Sequence, residues 1–283
     1  MRKIQLPEYV TADITTQVTA ALKEDIGSGD ITALLIDESA RASATIISRE
    51  AATMCGMDWA DEVFRQIGGD VTIEWLVQDG ERLSAGDTLC HLHGNSRQIL
   101  TGERCALNFL QTLMATATAA QQFSDAAHGK NISILDTRKT LPGLRTAQKY
   151  AVLCGGCFNH RIGLYDAFLI KENHIAACGG IVNAIRKARD LAAEKKIIIE
   201  VESLEELQQA LPEKPDQIML DNFSAEMLRD AMSIAGDCLL EVSGNKTFAD
   251  IGEIPDTRHL FMSSGALTKH CQAIDLSLRL TEQ

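Results

Sequence analysis

KIIIEVESLEELQQALPEKPDQIMLDN, residues 196–222, decides the fold. An apolar run ends in Glu200, a polar segment with helical spacing follows, and a second apolar run ends in Asp221. Ser203 with Glu206 three residues later reads as a capping box, the signal that starts a helix. Strand, helix and strand in so short a span make one compact β/α unit. Strands apolar along nearly their whole length belong to a parallel sheet covered by helices.

The same unit recurs on both sides. The runs NISILD (131–136), DAFLIKEN (166–173), CLLEVSGN (238–245) and HLFMSSG (259–265) each end in polar residues. Those ends fall at Asp136, Lys171, Glu241 with Ser243, and Ser263. Helical segments are expected over 180–195, 203–211 and 224–235. Six strands fit either an open doubly wound sheet or an incomplete barrel. The regular polar endings favour a TIM-like α/β barrel, because every strand then delivers its C-terminal end to one mouth, where such folds keep their chemistry.

Residues 1–105 read differently. ASATIISRE (42–50) and VTIEWLVQDG (71–80) are expected strands, and 79–94 has the glycine-turn rhythm of a small β structure. Helices are expected over 11–24 and, as a long apolar link, over 103–127. The tail, 266–280, also reads as a helix.

The totals exclude several classes of function. The chain has 283 residues, 45% hydrophobic and 23% charged, with a net charge of −12, enough to bury a large core. A nucleic-acid binder carries the opposite balance, so no nucleic-acid partner is expected. No apolar run reaches the ~18 residues of a membrane span, and MRKIQLPEYV has no signal-peptide core. The expected setting is cytoplasmic, without a membrane partner. Eight scattered cysteines read as reduced thiols.

Within this acidic chain one window is basic. Residues 136–175 hold Arg138, Lys139, Arg145, Lys149, Arg161 and Lys171 against only Asp136, Asp166 and Glu172, a balance of +3. A solvated charged face is the plain explanation. However, Arg138, Lys139 and Lys171 stand at strand ends, and His160 and Arg161 follow a Gly-Gly break. Cations converging at a barrel mouth suit a polyanion. Glu200, Asp221 and Glu241 form a second set. Acids there either pair with the cations or hold a hard cation such as Mg²⁺ through water. Ser243-Gly244-Asn245 and Ser263-Ser264-Gly265 end the last two strands, where barrels often bind a phosphate through backbone N–H groups. Cys154 and Cys157 match CxxC spacing but follow an expected helix at 144–153. A redox pair needs a helix N-terminus. His91 and His93 share one strand face without a visible partner set, and Trp59 and Trp75 read as packing.

The chain resembles the quinolinate phosphoribosyltransferases over nearly its whole length. The resemblance is carried by EDIGSGDIT (24–32), GERCALNFL (102–110), DTRKTLPGLR (136–145), GGCFNHRIGLYDAFLIKENHI (155–175), IEVE (199–202), MLDN (219–222), EVSGN (241–245) and SSGALT (263–268). It implies an N-terminal α/β sandwich domain (1–115), an incomplete α/β barrel (116–268) and a C-terminal helix (269–283) packing back on the first domain. The quinolinate pocket would fall on Thr137, Arg138, His160, Arg161 and Lys171, with Arg104 reaching in from the partner of a homodimer. Lys139 would lie between the two substrates. Glu200 and Asp221 would face the ribose and the Mg²⁺–pyrophosphate of phosphoribosyl pyrophosphate. Ser243, Gly244, Asn245, Ser263, Ser264 and Gly265 would cradle its 5′-phosphate. Lys139, Lys171, Glu200 and Asp221 are the expected catalytic set.

The residues leave other readings open: a related enzyme acting on another acidic ring, a barrel lyase with Lys171 as Schiff-base lysine, or a non-catalytic binding protein.

Overall fold

The computed structural model describes residues 4–244 and 246–281. The chain divides into two compact units: Met1–Gln121, Thr140–Gly156 and His270–Gln283 in one, Gln122–Lys139 and Cys157–Lys269 in the other. Each is thus interrupted by the other, unlike the continuous division drawn from the sequence.

In the first unit, strands β1 (Arg41–Ser48), β2 (Ala52–Thr53), β3 (Val71–Trp75), β4 (Arg82–Leu83) and β5 (Thr88–Asn95) accompany helices α1 (Glu8–Ile26), α2 (Met57–Ile67), α3 (Ser96–Ala126) and α4 (Arg145–Cys154). β1 pairs antiparallel with β5, and β5 with β3. Every second residue of β1 from Ala44 to Ser48 is buried, the period of a strand with one face on a core. Helix α1 buries Val10, Ile14, Val18 and Leu22, one stripe at four-residue spacing. Trp59 and Phe64 of α2 are buried with Leu110 and Leu113 of α3. Trp59 Nε1 donates to Gln17 Oε1 at 2.8 Å, and its ring lies 5.8 Å from that of Tyr150. Burying an indole while satisfying its N–H contributes about 2–3 kcal/mol. His91 and His93 of β5 each meet a hydroxyl of β1, Thr45 at 3.1 Å and Ser43 at 2.9 Å. Their shared face is a cross-strand hydrogen-bonding ladder.

The second unit holds six parallel strands: β6 (Ile132–Leu135), β7 (Ala167–Ile170), β8 (Lys196–Val201), β9 (Gln217–Asp221), β10 (Leu239–Ser243) and β11 (Leu260–Ser263). Their order is β6-β11-β10-β9-β8-β7. From β7 onward each strand lies beside its successor, and the last, β11, pairs with the first, β6. That is the cyclic order of a barrel with its β6–β7 seam unpaired, whereas a doubly wound sheet reverses direction partway. Below the seam, Leu135 forms a lone parallel bridge with Phe158. Helices α5 (Glu172–Cys178), α6 (Ile181–Leu191), α7 (Leu204–Ala210), α8 (Ala225–Ile234) and α9 (Ala266–Lys269) complete the unit. Ser203 Oγ caps α7 by accepting from Glu206 N at 3.2 Å. The Glu206 carboxylate returns to Glu202 N rather than to Ser203 N, so the capping box closes one residue early.

The tail is not the expected helix. After the four residues of α9, the chain forms β12 (Leu276–Thr281), which pairs antiparallel with β1. LSLRL alternates apolar and polar residues with period two, and that pattern outweighs the helix propensity of its leucines.

Cys154 closes α4 and belongs to the first unit, while Cys157 belongs to the second. Both are buried, and burial pushes the Cys157 thiol up to about 12. Neither stands at a helix N-terminus, the place that would activate a thiol. Among the described residues no helix is long and apolar enough to cross a membrane.

Candidate active site

The mouth of the second unit is built by strand alternation. Leu169 with Lys171, Met219 with Asp221, and Glu200, Ser243 and Ser263 line a cavity of about 510 Å³. Thr137, Arg138, Lys139, His160, Arg161, Asn222 and Gly244 complete the lining from the loops above the strands. Cations gather on the β6–β7 side and acids on β8 and β9.

The cationic side holds like charges, and among the described residues neither Arg138 nor Arg161 forms an ion pair with an acid. Burial lowers the Arg161 pKa, the Arg138 guanidinium lowers it further, and Asp166 opposes both. Arg161 Nη1 donates to the Ala167 carbonyl at 3.1 Å. Arg138 Nε is buried and has no hydrogen-bond partner among the described residues. A buried unsatisfied guanidinium nitrogen is costly. Lys139 forms no ion pair among the described residues. Its stem passes over Gly265, where an added Cβ would stand 2.7 Å from Lys139 Cδ.

On the acidic side, Lys171 Nζ lies 2.5 Å from Glu200 Oε2. The Lys171 N–H donates to His174 Nδ1 at 3.1 Å and fixes the turn from β7 into α5. Burial raises the Glu200 pKa; Lys171 lowers it, and the Asp221 charge raises it again. Asp221 Oδ2 accepts from Asn222 Nδ2 at 2.7 Å. Two mutually repelling carboxylates on adjacent strands, offering only oxygen donors, fit a hard dication completed by water or phosphate oxygens.

The loops after β9 and β10 interlock. Asn222 has φ +56°, and its N–H donates to the Ser243 carbonyl at 3.3 Å. Gly244 has φ +97°, and a Cβ there would stand 2.2 Å from Asn222 Oδ1. Only glycine fits.

The domain models described as quinolinate phosphoribosyl transferase, N-terminal and C-terminal, match residues 13–114 and 116–279. The chain belongs to the quinolinate phosphoribosyltransferase family. The nicotinate-nucleotide pyrophosphorylase structure from Francisella tularensis shares 46% identity, covers 99% of this chain and 100% of its own, and superposes with a TM-score of 0.91. A protein of Oryza sativa subsp. japonica named nicotinate-nucleotide pyrophosphorylase (carboxylating), chloroplastic, is 37% identical over 296 residues, 97% of this chain and 79% of its own. One of Bacillus subtilis, named probable nicotinate-nucleotide pyrophosphorylase (carboxylating), is 36% identical over 260 residues, 91% of this chain and 90% of its own.

In this member of the family the mouth gathers most, not all, of the residues expected from sequence. Thr137, Arg138, Lys139, His160, Arg161, Lys171, Glu200, Asp221, Ser243, Gly244 and Ser263 line it. Ser264 and Gly265 do not. Ser264 Oγ donates to the Lys246 carbonyl at 2.6 Å and so braces the β10 loop, while Gly265 makes room for Lys139. Asn245 lies outside the described residues. Arg104 is exposed on α3 in the first unit. Glu241, grouped with Glu200 and Asp221 from its strand-end position, does not join them. It is fully buried one layer below Ser243, against His160 at 3.2 Å and Gln217. Sequence reasoning missed Leu169, Met219 and Asn222 as lining residues. Leu169 and Met219 stand two positions before Lys171 and Asp221, so the strand period alone would have placed them.

Proposed function

We propose that this mouth catalyses phosphoribosyl transfer from phosphoribosyl pyrophosphate to quinolinate with decarboxylation, giving nicotinate mononucleotide, pyrophosphate and CO₂, a step of NAD synthesis. The observation that carries the reading is the Arg138–Arg161 pair: two like charges side by side in the lining of the mouth, neither in an ion pair among the described residues. A planar dicarboxylate answers both. The names borne by the relatives agree with it.

Arg138 and Arg161 hold the carboxylates of quinolinate through guanidinium forks, with Lys171 and Thr137 at the edge of the ring. Lys139 screens one anion from the other. Glu200 and Asp221 face the ribose and hold Mg²⁺; that ion, when bound, offsets the charge of the pyrophosphate. Ser243, Gly244 and Ser263 approach the 5′-phosphate closely. The ring nitrogen of quinolinate displaces pyrophosphate at C1 of the ribose and becomes quaternary. It then stabilises the carbanion left at the neighbouring carbon as CO₂ departs, and that carbon takes up a proton from water to give nicotinate mononucleotide. Fixed cations stabilise the developing charges, and alignment of two mutually repelling substrates supplies much of the remaining acceleration. The Lys171–Glu200 ion pair speaks against Lys171 as a Schiff-base amine, which must be neutral to attack a carbonyl.

The working form is a homodimer in which Arg104 of each chain serves the partner's mouth. Arg104 is a cation exposed on a helix, and the exposed Ile31, Leu34 and Leu35 of the same unit are large apolar side chains in need of cover.

Purified protein with quinolinate, phosphoribosyl pyrophosphate and Mg²⁺ should release CO₂ and pyrophosphate in equal amounts. Nicotinate should give little product. Equal turnover of nicotinate rejects the dicarboxylate assignment.

A further inference from the structure

His160 lines the mouth, yet both of its ring nitrogens are engaged inside the protein. Nδ1 accepts the Arg161 backbone N–H at 2.7 Å. It therefore carries a lone pair, and the ring proton sits on Nε2. Nε2 lies 3.2 Å from Glu241 Oε2. Gln217 Nε2 donates to the same oxygen, and Gln217 Oε1 accepts from Lys196 Nζ at 2.6 Å. The His160 backbone is held too, its N–H donating to Asp136 Oδ1 at 2.8 Å.

A fully buried carboxylate below a mouth that needs positive charge calls for a reason. It reduces the very field that attracts anions, and its Oε1 has no hydrogen-bond partner among the described residues. The Arg161 N–H supplies the reason. An imidazole with its proton on Nδ1, or an imidazolium, would point a donor at that N–H and push the Arg161 backbone away. An acceptor fixed at Nε2 selects the one tautomer that leaves Nδ1 free to accept.

We propose that Glu241 is a positioning residue: by holding His160 as its Nε2–H tautomer it sets the Arg161 backbone, and through it the guanidinium that receives a substrate carboxylate. The inference rests on the assignment of Arg161 to quinolinate. It predicts an effect chiefly on one substrate, because the residue that it positions, Arg161, is assigned to quinolinate.

The test uses full-length enzyme labelled with ¹⁵N-histidine, the His160 signals assigned through His160→Asn. Nδ1 of His160 should be unprotonated and Nε2 protonated. Glu241→Ala should give mixed tautomers and raise the quinolinate KM roughly tenfold or more, as expected when a charge-assisted contact is misplaced. The phosphoribosyl pyrophosphate KM should stay unchanged. Glu241→Gln should restore both readouts, since its carbonyl keeps the acceptor while its NH₂ takes the place of the unpartnered Oε1. An Nδ1–H or doubly protonated ring in the wild type overturns the proposal, as does an equal rise in both KM values. Should Glu241→Ala fail to fold, the wild-type tautomer and the Glu241→Gln kinetics decide alone. A wild type that does not turn over quinolinate sinks the functional assignment, whatever tautomer His160 shows.

Discussion

Lys171 Nζ and Glu200 Oε2 stand 2.5 Å apart across adjacent strands β7 and β8, the carboxylate nearly buried and the lysine 44% exposed. Each holds the other in place before substrate arrives. Lys171→Met removes a cation from the mouth and leaves the Glu200 charge without its partner. A fall in kcat/KM of about 10²-fold or more is expected. Because the lysine is partly solvated, the coupling between Lys171→Met and Glu200→Gln in a double-mutant cycle on stability should be only about 1 kcal/mol. Zero coupling in urea denaturation would show that the pair does not hold its own geometry.

The Arg138–Arg161 pair should trade function against stability. Arg138→Met removes charge-assisted hydrogen bonds to quinolinate, worth about 2–3 kcal/mol or roughly 30–150-fold in its KM. It also relieves repulsion on Arg161, so the melting temperature should hold or rise in the substrate-free enzyme. A clear loss of stability would mean that Arg138 is a structural residue.

Gly244→Ala should damage the site through Asn222. The new Cβ collides with Asn222 Oδ1 at a φ of +97°, and such strain costs of order 1–3 kcal/mol. The phosphoribosyl pyrophosphate KM should rise. Adding Asn222→Gly removes the side-chain collision but neither the 3.1 Å approach to the backbone nitrogen of residue 222 nor the strained φ, so it should recover only part of the loss. Full recovery would mean that sterics alone demand the glycine.

The second unit was far more legible in the sequence than the first. Its strands are apolar throughout and end in charge, and that pattern gives strand number, direction and the mouth together. β12 was hidden because a short alternating edge strand looks like a helix end until its partner β1 is known. Glu241 was misread for a related reason. Position on a strand says which end of the sheet a residue is near, but not that it lies one layer deeper than Ser243. The buried partners of the NHR loop were invisible too, since Asp136 and His160 meet only after β6 and the turn at Phe158 are paired.

If Arg104 acts across a dimer, inactive Arg104→Ala and Lys171→Ala chains should complement each other. A mixed dimer assembles one mouth with both residues intact. Partial activity should appear on mixing, up to about half of the wild-type level per mixed dimer when subunits pair as a C2 dimer. Verified subunit exchange with no recovered activity places Arg104 outside the shared site.

Asp79 gives the stability a pH dependence. Its carboxyl is pushed up to about 6, chiefly by burial; hydrogen bonds from Tyr150 Oη at 2.8 Å and Met57 N at 3.4 Å pull the other way. A carboxyl raised in the folded state binds its proton more tightly there than in the unfolded chain. The associated stability is therefore fully present below the ordinary value near 3.8 and is lost as pH climbs through about 6. The span corresponds to a change of about 3 kcal/mol, an order-of-magnitude figure. Asp79→Asn removes the titration while its carbonyl still accepts from Tyr150. Urea denaturation between pH 4 and 7.5 should show the variant gaining on the wild type as pH rises, with every shared titration cancelling in the comparison. Parallel stability curves would mean that Asp79 titrates as a solvated carboxylate and that its burial is compensated in full.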